Sequence, residues 1–284
     1  MARHQRRNEG KSPGESQGKA QARSQDKAWT PTPHRGARPA AKHGPAAVAA
    51  DWVWGWHATL AALANPLRQP PRRLVATAER ARELAARQPA LPAAEILDAA
   101  EIARLLPPGA AHQGLALKPG AIEPLPLAEL ASPAQGVLVM LDHVTDPQNV
   151  GAVFRSAAAF GARGVVVQDR HAPAFTGALA KAAAGALDIT PHARVVNLAR
   201  ALDELDALGW RAIGLAGDAA QTLDQVLDAR PTVLVLGSEG EGLRRLVGEH
   251  CDTLARIAMP GGFESLNVSA AAAVALYEAT RQGR

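Results

Sequence analysis

The sequence predicts an α/β protein in which a parallel-sheet domain over residues 136–284 follows a small α/β domain over residues 50–118. From residue 136 onward, short runs of Val, Leu and Ile alternate with longer segments of helical spacing. Such alternation indicates a mostly parallel sheet with helices on both faces. Hydrophobic residues make up 47% of the chain and aromatic residues only 4%, so Ala, Val and Leu must form most of the core.

The N-terminal residues 1–45 are rich in Arg, Lys, Gln, Ser, Gly and Pro and have few large aliphatic side chains. We expect a disordered tail, because such a segment cannot bury enough apolar surface to offset its ordering entropy. Residues 1–44 hold ten Lys or Arg and three Asp or Glu, a net charge of +7, so with +4 for the whole chain residues 45–284 carry −3. A basic tail favours a polyanionic partner such as nucleic acid. A solvated terminus that aids solubility is the alternative.

The small domain begins near Asp51, where apolar residues first become frequent. A strand is predicted over Arg73–Thr77, followed by a helix with Leu84 on its apolar side and by a last strand over Leu115–Leu117. Residues 119–135 contain four prolines, which indicate a linker.

The large domain is predicted to alternate strands with helices. The predicted strands are Val137–Leu141, Gly164–Val167, Trp210–Leu215, Thr232–Leu236 and Leu254–Ala258. The predicted helices are Pro147–Phe160, Gly177–Ala184, Asn197–Leu208, Leu243–Glu249 and Val268–Gln282.

A strand-to-helix junction over residues 141–156 is the first candidate for chemistry. Asp146 and Pro147 form a good N-cap and first helical residue, which puts Asn149 in the first turn, where free backbone N–H groups favour an anion. Arg155 lies on the same helix, and its planar donor group suits phosphate. Taken alone, this is also the pattern of an ordinary capped helix with a solvated Arg.

A hydrophobic strand runs into a glycine-rich turn over residues 233–243, with Gly237 and Glu239 in the turn. Ligands of open α/β sheets bind at the carboxyl ends of strands, and glycine allows close backbone approach. The spacing is neither that of a G-x-G-x-x-G nucleotide loop nor that of a P-loop. Its acidic residues would repel phosphate but can hold a cationic ligand or an arginine. A tight structural turn is the alternative.

The third candidate spans Ile257–Ser269, where a Gly-Gly pair is followed by Ser-Leu-Asn-Val-Ser and an Ala-rich helix. Ser265, Asn267 or Ser269 can each cap that helix. The segment nevertheless offers more polar groups than one cap requires. Because this loop and the glycine-rich turn over residues 233–243 each follow a strand, we expect them to line one crevice together.

In this order and spacing, the three segments resemble the three motifs of the SpoU/TrmH class of RNA 2′-O-ribose methyltransferases, in the SPOUT superfamily. The similarity is greatest to the bacterial 23S rRNA guanosine 2′-O-methyltransferases. It covers residues 136–284 strongly. It extends weakly to residues 50–118, where Gly55–Ala58 and His112–Gly114 look like that family's ribosomal-protein-like, RNA-binding substrate domain.

The resemblance implies transfer of a methyl group from S-adenosylmethionine to a ribose 2′-hydroxyl of RNA, most closely a guanosine of 23S rRNA. It also implies a homodimer with the site near the subunit interface, and an α/β knot in which the C-terminal part of the chain threads a loop. Carried over by position, the cofactor-binding residues are Gly237, Ile257 and Leu266. The corresponding catalytic residues are Arg155, Asn149, Glu239, Ser265 and Asn267.

Arg155 is the first candidate for the catalytic residue, but its role has two interpretations. Arginine almost never loses its proton in proteins, which makes it a poor simple base. Alternatively, Arg155 binds the neighbouring phosphate and stabilises the developing alkoxide, while the proton passes to phosphate or water. Asn149 is expected to orient the RNA or the Arg, and Glu239 to support the guanidinium of Arg155.

The histidines and the single cysteine are expected to have other roles. His57, His112 and His143 are attractive general bases by residue type, but the family pattern does not require them, and we expect structural or RNA-contacting roles. Because no Cys/His cluster has ligand spacing, no metal is predicted. Cys251 is expected to be a small buried apolar residue.

The expected partners are RNA and a second copy of the chain, in the cytoplasm. No apolar run reaches the ~20 residues that span a bilayer, and we expect no secretory signal, because no apolar segment follows the charged N-terminal residues. The acidic residues Glu9, Glu15 and Asp26 argue against an organellar transit peptide. Two functional alternatives stay open: a tRNA 2′-O-methyltransferase of the same class, and a non-catalytic RNA-binding ribosome-assembly factor. A dinucleotide-dependent oxidoreductase is disfavoured, because no glycine-rich fingerprint follows the first strand.

Overall fold

The structure, a computed structural model, describes residues 52–87, 93–175, 177–262 and 265–282. The predicted disordered tail over residues 1–45 lies outside these ranges. The described residues form two β-sheets with helices packed on them. Within the same ranges, no helix has both the length and the apolar character needed to cross a membrane.

The small sheet has the strand order β1-β4-β2-β3, in which β4 is antiparallel to both of its neighbours. Its strands are β1 Val53–Trp54, β2 Arg73–Ala76, β3 Glu95–Ile96 and β4 Leu115–Lys118. Its helices are α1 Trp56–Ala64, α2 Ala78–Arg87 and α3 Ala99–Leu105. The predicted strands near residues 73 and 115 are confirmed as β2 and β4, and Leu84 is the buried residue of α2.

The large sheet is entirely parallel and has the order β7-β6-β5-β10-β8-β11-β9. Its strands are β5 Val137–Leu141, β6 Gly164–Gln168, β7 His192–Val195, β8 Arg211–Leu215, β9 Gln221–Thr222, β10 Thr232–Leu236 and β11 Thr253–Arg256. The accompanying helices are α4 Leu127–Ala131, α5 Pro147–Ala159, α6 Gly177–Ala183, α7 Leu198–Ala207, α8 Leu223–Val226, α9 Arg245–Glu249 and α10 Val268–Gln282.

The central strands are aliphatic throughout because both faces of this sheet are covered. In β5, Val137, Val139 and Leu141 pack on one face, while Leu138 and Met140 pack on the other, as the alternation of side chains along a strand requires. Helices α5, α6 and α10 cover the first face, and α4, α7 and α9 cover the second. The predicted parallel α/β architecture is therefore confirmed.

Several short elements were not predicted from the sequence, among them a helix and a strand of the large sheet's layers. Helix α4 lies within the predicted linker and buries Leu127, Leu130 and Ala131 against the sheet. Its five residues are too few to display a helical period. Strand β7, with the sequence His-Ala-Arg-Val, was not predicted because it lacks an aliphatic run.

A buried ion pair connects the small domain to the large one. Arg68, after α1, contacts Asp188 with Nε and Oδ1 2.5 Å apart, and their side chains are only 5% and 2% exposed. The Nδ2 group of Asn65 donates to Oδ1 of Asp188 at 3.0 Å, and Nη1 of Arg68 donates to the carbonyl oxygen of Gly120 at 2.8 Å. Both buried charges thus have partners, which holds the two sheets in one relative position.

His192, in strand β7, is buried against the aromatic rings of Phe154 and Phe175. The residue is 1% exposed, and its ring centroid lies 4.6 Å from that of Phe175. Its Nε2 atom has no hydrogen-bond partner among the described residues. Burial lowers the pKa of His192 to about 4, and the charges of Arg194 and Arg68 act in the same direction.

We expect the protein to lose stability as the pH falls from about 6.5 towards 4. The pKa of His192 is lower in the folded state, so the unfolded chain binds the proton first. The stabilising contribution is complete above pH 6.5, and up to about 3 kcal/mol is lost once the pH passes the folded pKa. Urea unfolding at pH 7 and pH 5 measures the loss.

The His192→Phe variant should show a smaller difference between these two pH values than the wild type, because its ring does not titrate. His57→Gln, at an exposed position, serves as the matched histidine control. An equal pH dependence in His192→Phe and wild type would contradict this role of His192.

Candidate functional site

A cavity of about 620 Å³ opens at the carboxyl ends of β8, β10 and β11. Three chain segments line it: Leu215–Gly217 after β8, Leu236–Gly242 after β10, and residues between 255 and 271 after β11. Parallel strands all end at the same edge, where loops are free to form a ligand site. The cavity therefore lies where the topology of the sheet predicts one.

The loop after β10 is a tight hairpin. Ser238 and Gly242 exchange two backbone hydrogen bonds of 3.1 and 3.0 Å. A Cβ atom on Gly237 would lie 2.0 Å from the carbonyl carbon of Gly242, so no side chain fits there. The hairpin thus folds back on the end of its own strand and turns its backbone groups and Glu239 towards the cavity.

Asn267 caps the last helix. Its Oδ1 atom accepts from the backbone N–H of Ser269 at 2.9 Å and from that of Ala270 at 3.4 Å. The hydroxyl of Ser269 donates to the same oxygen. Of the three capping candidates in the sequence, Asn267 takes the role, and its Nδ2 group stays available for contacts outside the helix.

Asn149, Glu239 and Asn267 form a hydrogen-bonded group that we name the polar cluster. Nδ2 of Asn149 donates to Oε1 of Glu239 at 3.0 Å. Nδ2 of Asn267 donates to the same Oε1 at 2.5 Å and to Oδ1 of Asn149 at 3.0 Å. The backbone N–H of Val268 also faces this carboxylate, at 3.4 Å. The cluster joins all three sequence motifs at the cavity.

The cavity has an acidic lining. Glu239 and Glu241 both line it, and the one basic lining residue, Arg256, donates from Nη1 to the carbonyl oxygens of Ala219 and Ala220. Apolar side chains, including Leu215 and Met259, line the remainder. This environment favours a ligand that carries both a positive charge and an apolar part.

Arg155 stands apart from the polar cluster. It is exposed on α5 and does not line the cavity of its own chain. Within the described ranges, neither a hydrogen bond nor an ion pair joins it to Glu239, whose carboxylate instead accepts from Asn149, Asn267 and Val268. The expected support of the Arg155 guanidinium by Glu239 is absent in this single chain.

The other predicted site residues meet at the cavity. Its lining includes Gly237, Glu239, Ile257, Ser265, Leu266 and Asn267. The sequence analysis did not predict that Leu215–Gly217 lines the site. This segment follows β8, which lies beside β10, so the strand order of the sheet would have predicted it. Their functional roles stay predictions at this stage.

Two of the three histidines noted in the sequence have structural contacts. Nδ1 of His112 accepts from the backbone N–H of Gly114 at 3.1 Å. His143 has a left-handed φ of 56° and packs its ring 4.2 Å from that of His171, measured between centroids. Burial, followed by the nearby charge of Arg244, lowers the pKa of His143. His57 is exposed.

Beside His143, Asp142 is fully buried and is neutralised by Arg244. The Nε group of Arg244 donates to Oδ1 at 2.7 Å, and its backbone N–H donates to Oδ2 at 2.9 Å. This pair fixes the end of the loop after β10 to the end of β5. The free thiol of Cys251 has its pKa raised to about 12, chiefly by burial, which fits the apolar role expected for it.

The SpoU rRNA Methylase family matches residues 136–277 of the chain. The 23S rRNA (guanosine-2′-O-)-methyltransferase RlmB of Pseudomonas aeruginosa is 46% identical over 158 residues, which are 55% of this chain and 64% of that relative. An uncharacterized tRNA/rRNA methyltransferase of Synechocystis is 38% identical over 244 residues, 82% of this chain and 63% of the relative. The chain spans less than two thirds of the length of these relatives.

A solved structure shares the fold along most of the chain. The SpoU methyltransferase AviRb from Streptomyces viridochromogenes, in complex with the cofactor AdoMet, superimposes with a TM-score of 0.70 and 26% sequence identity. The superposition covers 82% of this chain and 90% of that one. The likeness therefore includes both sheets rather than the motif-bearing domain alone.

Replacement of Asn267 by Ala should lower the free energy of unfolding by about 0.5–2 kcal/mol, the usual effect of removing an N-cap. Asn267→Asp keeps the cap but loses both Nδ2 contacts and puts a second carboxylate beside Glu239. Asn267→Asp should therefore also lower the free energy of unfolding. In the double variant with Glu239→Gln the decrease should be smaller, because the second carboxylate is gone.

Chemical unfolding of the single and double variants measures both effects. Ser265→Ala is the matched control, since Ser265 is exposed and makes no side-chain hydrogen bond within the described ranges. Strictly additive effects of the substitutions at positions 239 and 267 would argue against the polar cluster.

Proposed function

The chain belongs to the SpoU rRNA methylase family, and we propose that it transfers a methyl group from S-adenosylmethionine to a ribose 2′-hydroxyl of RNA. The substrate we propose is a guanosine of 23S rRNA. The observation that carries this proposal is the polar cluster, which joins the first motif to the two motif loops that line the cavity.

The cavity suits S-adenosylmethionine in size and charge. Its volume of about 620 Å³ lies within the range of about 300–1,000 Å³ typical of small-molecule sites. Glu239 and Glu241 favour the positive sulfonium, and the backbone groups of the loops can bind the polar parts of the cofactor. We assign cofactor binding to Gly237, Ile257 and Leu266. When bound, the cofactor supplies an electrophilic methyl carbon.

The protein must orient the ribose hydroxyl and stabilise its oxygen as the proton leaves. Asn267 lines the cavity, and its bond to Asn149 holds both amide groups in fixed positions, which suits the orientation of a ribose. Ser265 adds a hydroxyl at the same rim. Correct alignment alone can contribute up to about 7–11 kcal/mol in favourable systems.

Arg155 supplies the positive charge in this mechanism. We assign it to the phosphate beside the target ribose, where the guanidinium also stabilises the developing alkoxide while the proton passes to phosphate or water. Arg155 is exposed and does not line the cavity of its own chain. This supports a homodimer in which Arg155 of one subunit serves the cavity of the other.

Further parts of the proposal concern topology and assembly. A C-terminal α/β knot is supported by α10, which packs back against α5, β5 and β10 after β11 has entered the sheet between β8 and β9. The dimer is supported by Val274 and Tyr277 of α10, which are 43% and 53% exposed. We place the enzyme in the cytoplasm, where ribosomal RNA is its substrate, and we assign RNA binding to residues 50–118.

The choice of 23S rRNA over tRNA rests on the relative from Pseudomonas aeruginosa and on the presence of the small domain. Transfer of tritiated methyl groups to separate rRNA and tRNA pools tests it. We expect label in rRNA from cells that lack the gene. Label in tRNA alone would favour a tRNA enzyme, and label in neither pool would favour a binding protein.

The Arg155→Ala variant should lower the rate of methyl transfer by at least about 100-fold, as expected for loss of a group that stabilises developing charge. Its affinity for S-adenosylmethionine, measured by calorimetry, should change little. Arg230→Ala, at an exposed arginine near the opposite end of β10, is the control and should retain activity. Equal loss of cofactor binding and activity would exclude this role.

Mixing two inactive variants tests whether Arg155 acts across the dimer. Arg155→Ala lacks the cation, while Gly237→Val blocks the cofactor loop, so a mixed dimer retains one complete site. We expect the mixture to recover part of the wild-type activity. No recovery, with mixed dimers demonstrated by mass spectrometry, would show that Arg155 acts within its own subunit.

A further inference from the structure

A second opening lies at the carboxyl edge of the large sheet, on the other side of the hairpin from the cofactor cavity. We name it the side crevice. It has a volume of about 170 Å³. Its lining residues are Gln168, Val196, Asn197, Leu198, Ala199, Arg244, Leu246 and Val247. These follow strands β6, β7 and β10, whereas the main cavity follows β8, β10 and β11.

The walls of the side crevice carry exposed aliphatic side chains. Val196 is 70% exposed and Leu246 is 51% exposed, and both line it. Side chains of this exposure contribute little to the core, and together they form an apolar slot. The volume is below the roughly 300 Å³ at which pockets begin to enclose whole small-molecule ligands, so the slot suits a single ring system.

Arg244 supplies a rigid donor at the slot. Its side chain is 39% exposed, yet Asp142, which is fully buried, holds Nε at 2.7 Å and Nη2 at 2.6 Å. The Nη2 group also donates to Oε1 of Gln168 at 3.3 Å. Nη1 has no hydrogen-bond partner among the described residues, so both of its N–H groups are available to a ligand.

The charge of the side crevice differs from that of the main cavity. No Asp or Glu is among its lining residues, whereas Glu239 and Glu241 line the main cavity. The carboxylate that neutralises Arg244 lies behind it, at 0% exposure. The lining of the side crevice therefore presents no carboxylate to a polyanion, and the nearest exposed one in the sequence is Asp169, next to Gln168.

We propose that the side crevice binds one unpaired RNA base, a guanine, close to the nucleotide whose ribose enters the main cavity. Apolar walls accept the faces of a base, and the two N–H groups on Nη1 of Arg244, the nitrogen left free by Asp142 and Gln168, can donate to the adjacent O6 and N7 acceptors of guanine. Gly242 lines the main cavity and Arg244 lines the side crevice, so a base in the side crevice would lie close to the proposed site of methyl transfer. The inference rests on the proposed function for its substrate, RNA.

The double variant Val196→Ser/Leu246→Ser tests the apolar walls. We expect the KM for in vitro transcribed 23S rRNA to rise about fivefold or more, because the apolar contacts to the base are lost. The kcat and the affinity for S-adenosylmethionine should stay near the wild-type values. Ile189→Ser is the matched control, because Ile189 is 68% exposed and lies outside both openings. An unchanged KM in the double variant would overturn the proposal.

Guanine recognition by Arg244 is tested with rRNA that contains 7-deazaguanine, which lacks the N7 acceptor. The change should raise the KM of the wild type more than that of Arg244→Lys, a variant that keeps a cation beside Asp142. An equal effect in both proteins would contradict recognition of N7 by Arg244.

Crosslinking separates this inference from the proposed function. Transcripts of 23S rRNA that contain 6-thioguanosine should crosslink to residues 196–199 or 244–247, as identified by mass spectrometry. This readout does not require methyl transfer, so it stands even if the wild type modifies no RNA and the proposed function fails. Crosslinks confined to other segments would overturn the assignment of a base to the side crevice.

Discussion

A single carboxylate oxygen connects three distant parts of the chain at the site. Oε1 of Glu239 accepts from Asn149 at the start of α5 and from Asn267 at the start of α10. Each of these bonds is charge-assisted and therefore stronger than a neutral one. Glu239 is exposed, so these bonds add little to the stability of the fold, and their main effect is on geometry. They require the start of α5, the hairpin and the start of α10 to lie within hydrogen-bond distance of one oxygen atom.

The carboxyl edge of the large sheet has an uneven distribution of charge. Acidic side chains line the cavity after β8, β10 and β11, and Arg244 lies on the side of β5, β6 and β7. The division coincides with the hairpin, which presents Glu239 on one side and ends in Arg244 on the other. The proposed sulfonium cofactor and the proposed RNA favour opposite surroundings, and this one loop separates the two.

The parallel sheet was predictable from the sequence because its strands are buried on both faces and so form continuous aliphatic runs. Helix α4 and strand β7 were not, since each depends on packing partners far along the chain rather than on its own period. The motifs identified Gly237, Asn267 and their neighbours before any geometry was known. Motif spacing, however, does not show which side chains form hydrogen bonds with each other. Only the structure shows that Glu239 accepts from Asn149 and Asn267 and not from Arg155.

The ion pair between Arg68 and Asp188 has a consequence for any ligand that touches both domains. Reorientation of the small domain would break the ion pair and the bonds of Asn65 and Gly120 to it together. The two domains are therefore held at one separation. When a ligand binds to both, the ligand has to change its conformation rather than the protein. A ligand that touches both sheets would have to match that spacing as it stands, so its overall shape would contribute to recognition.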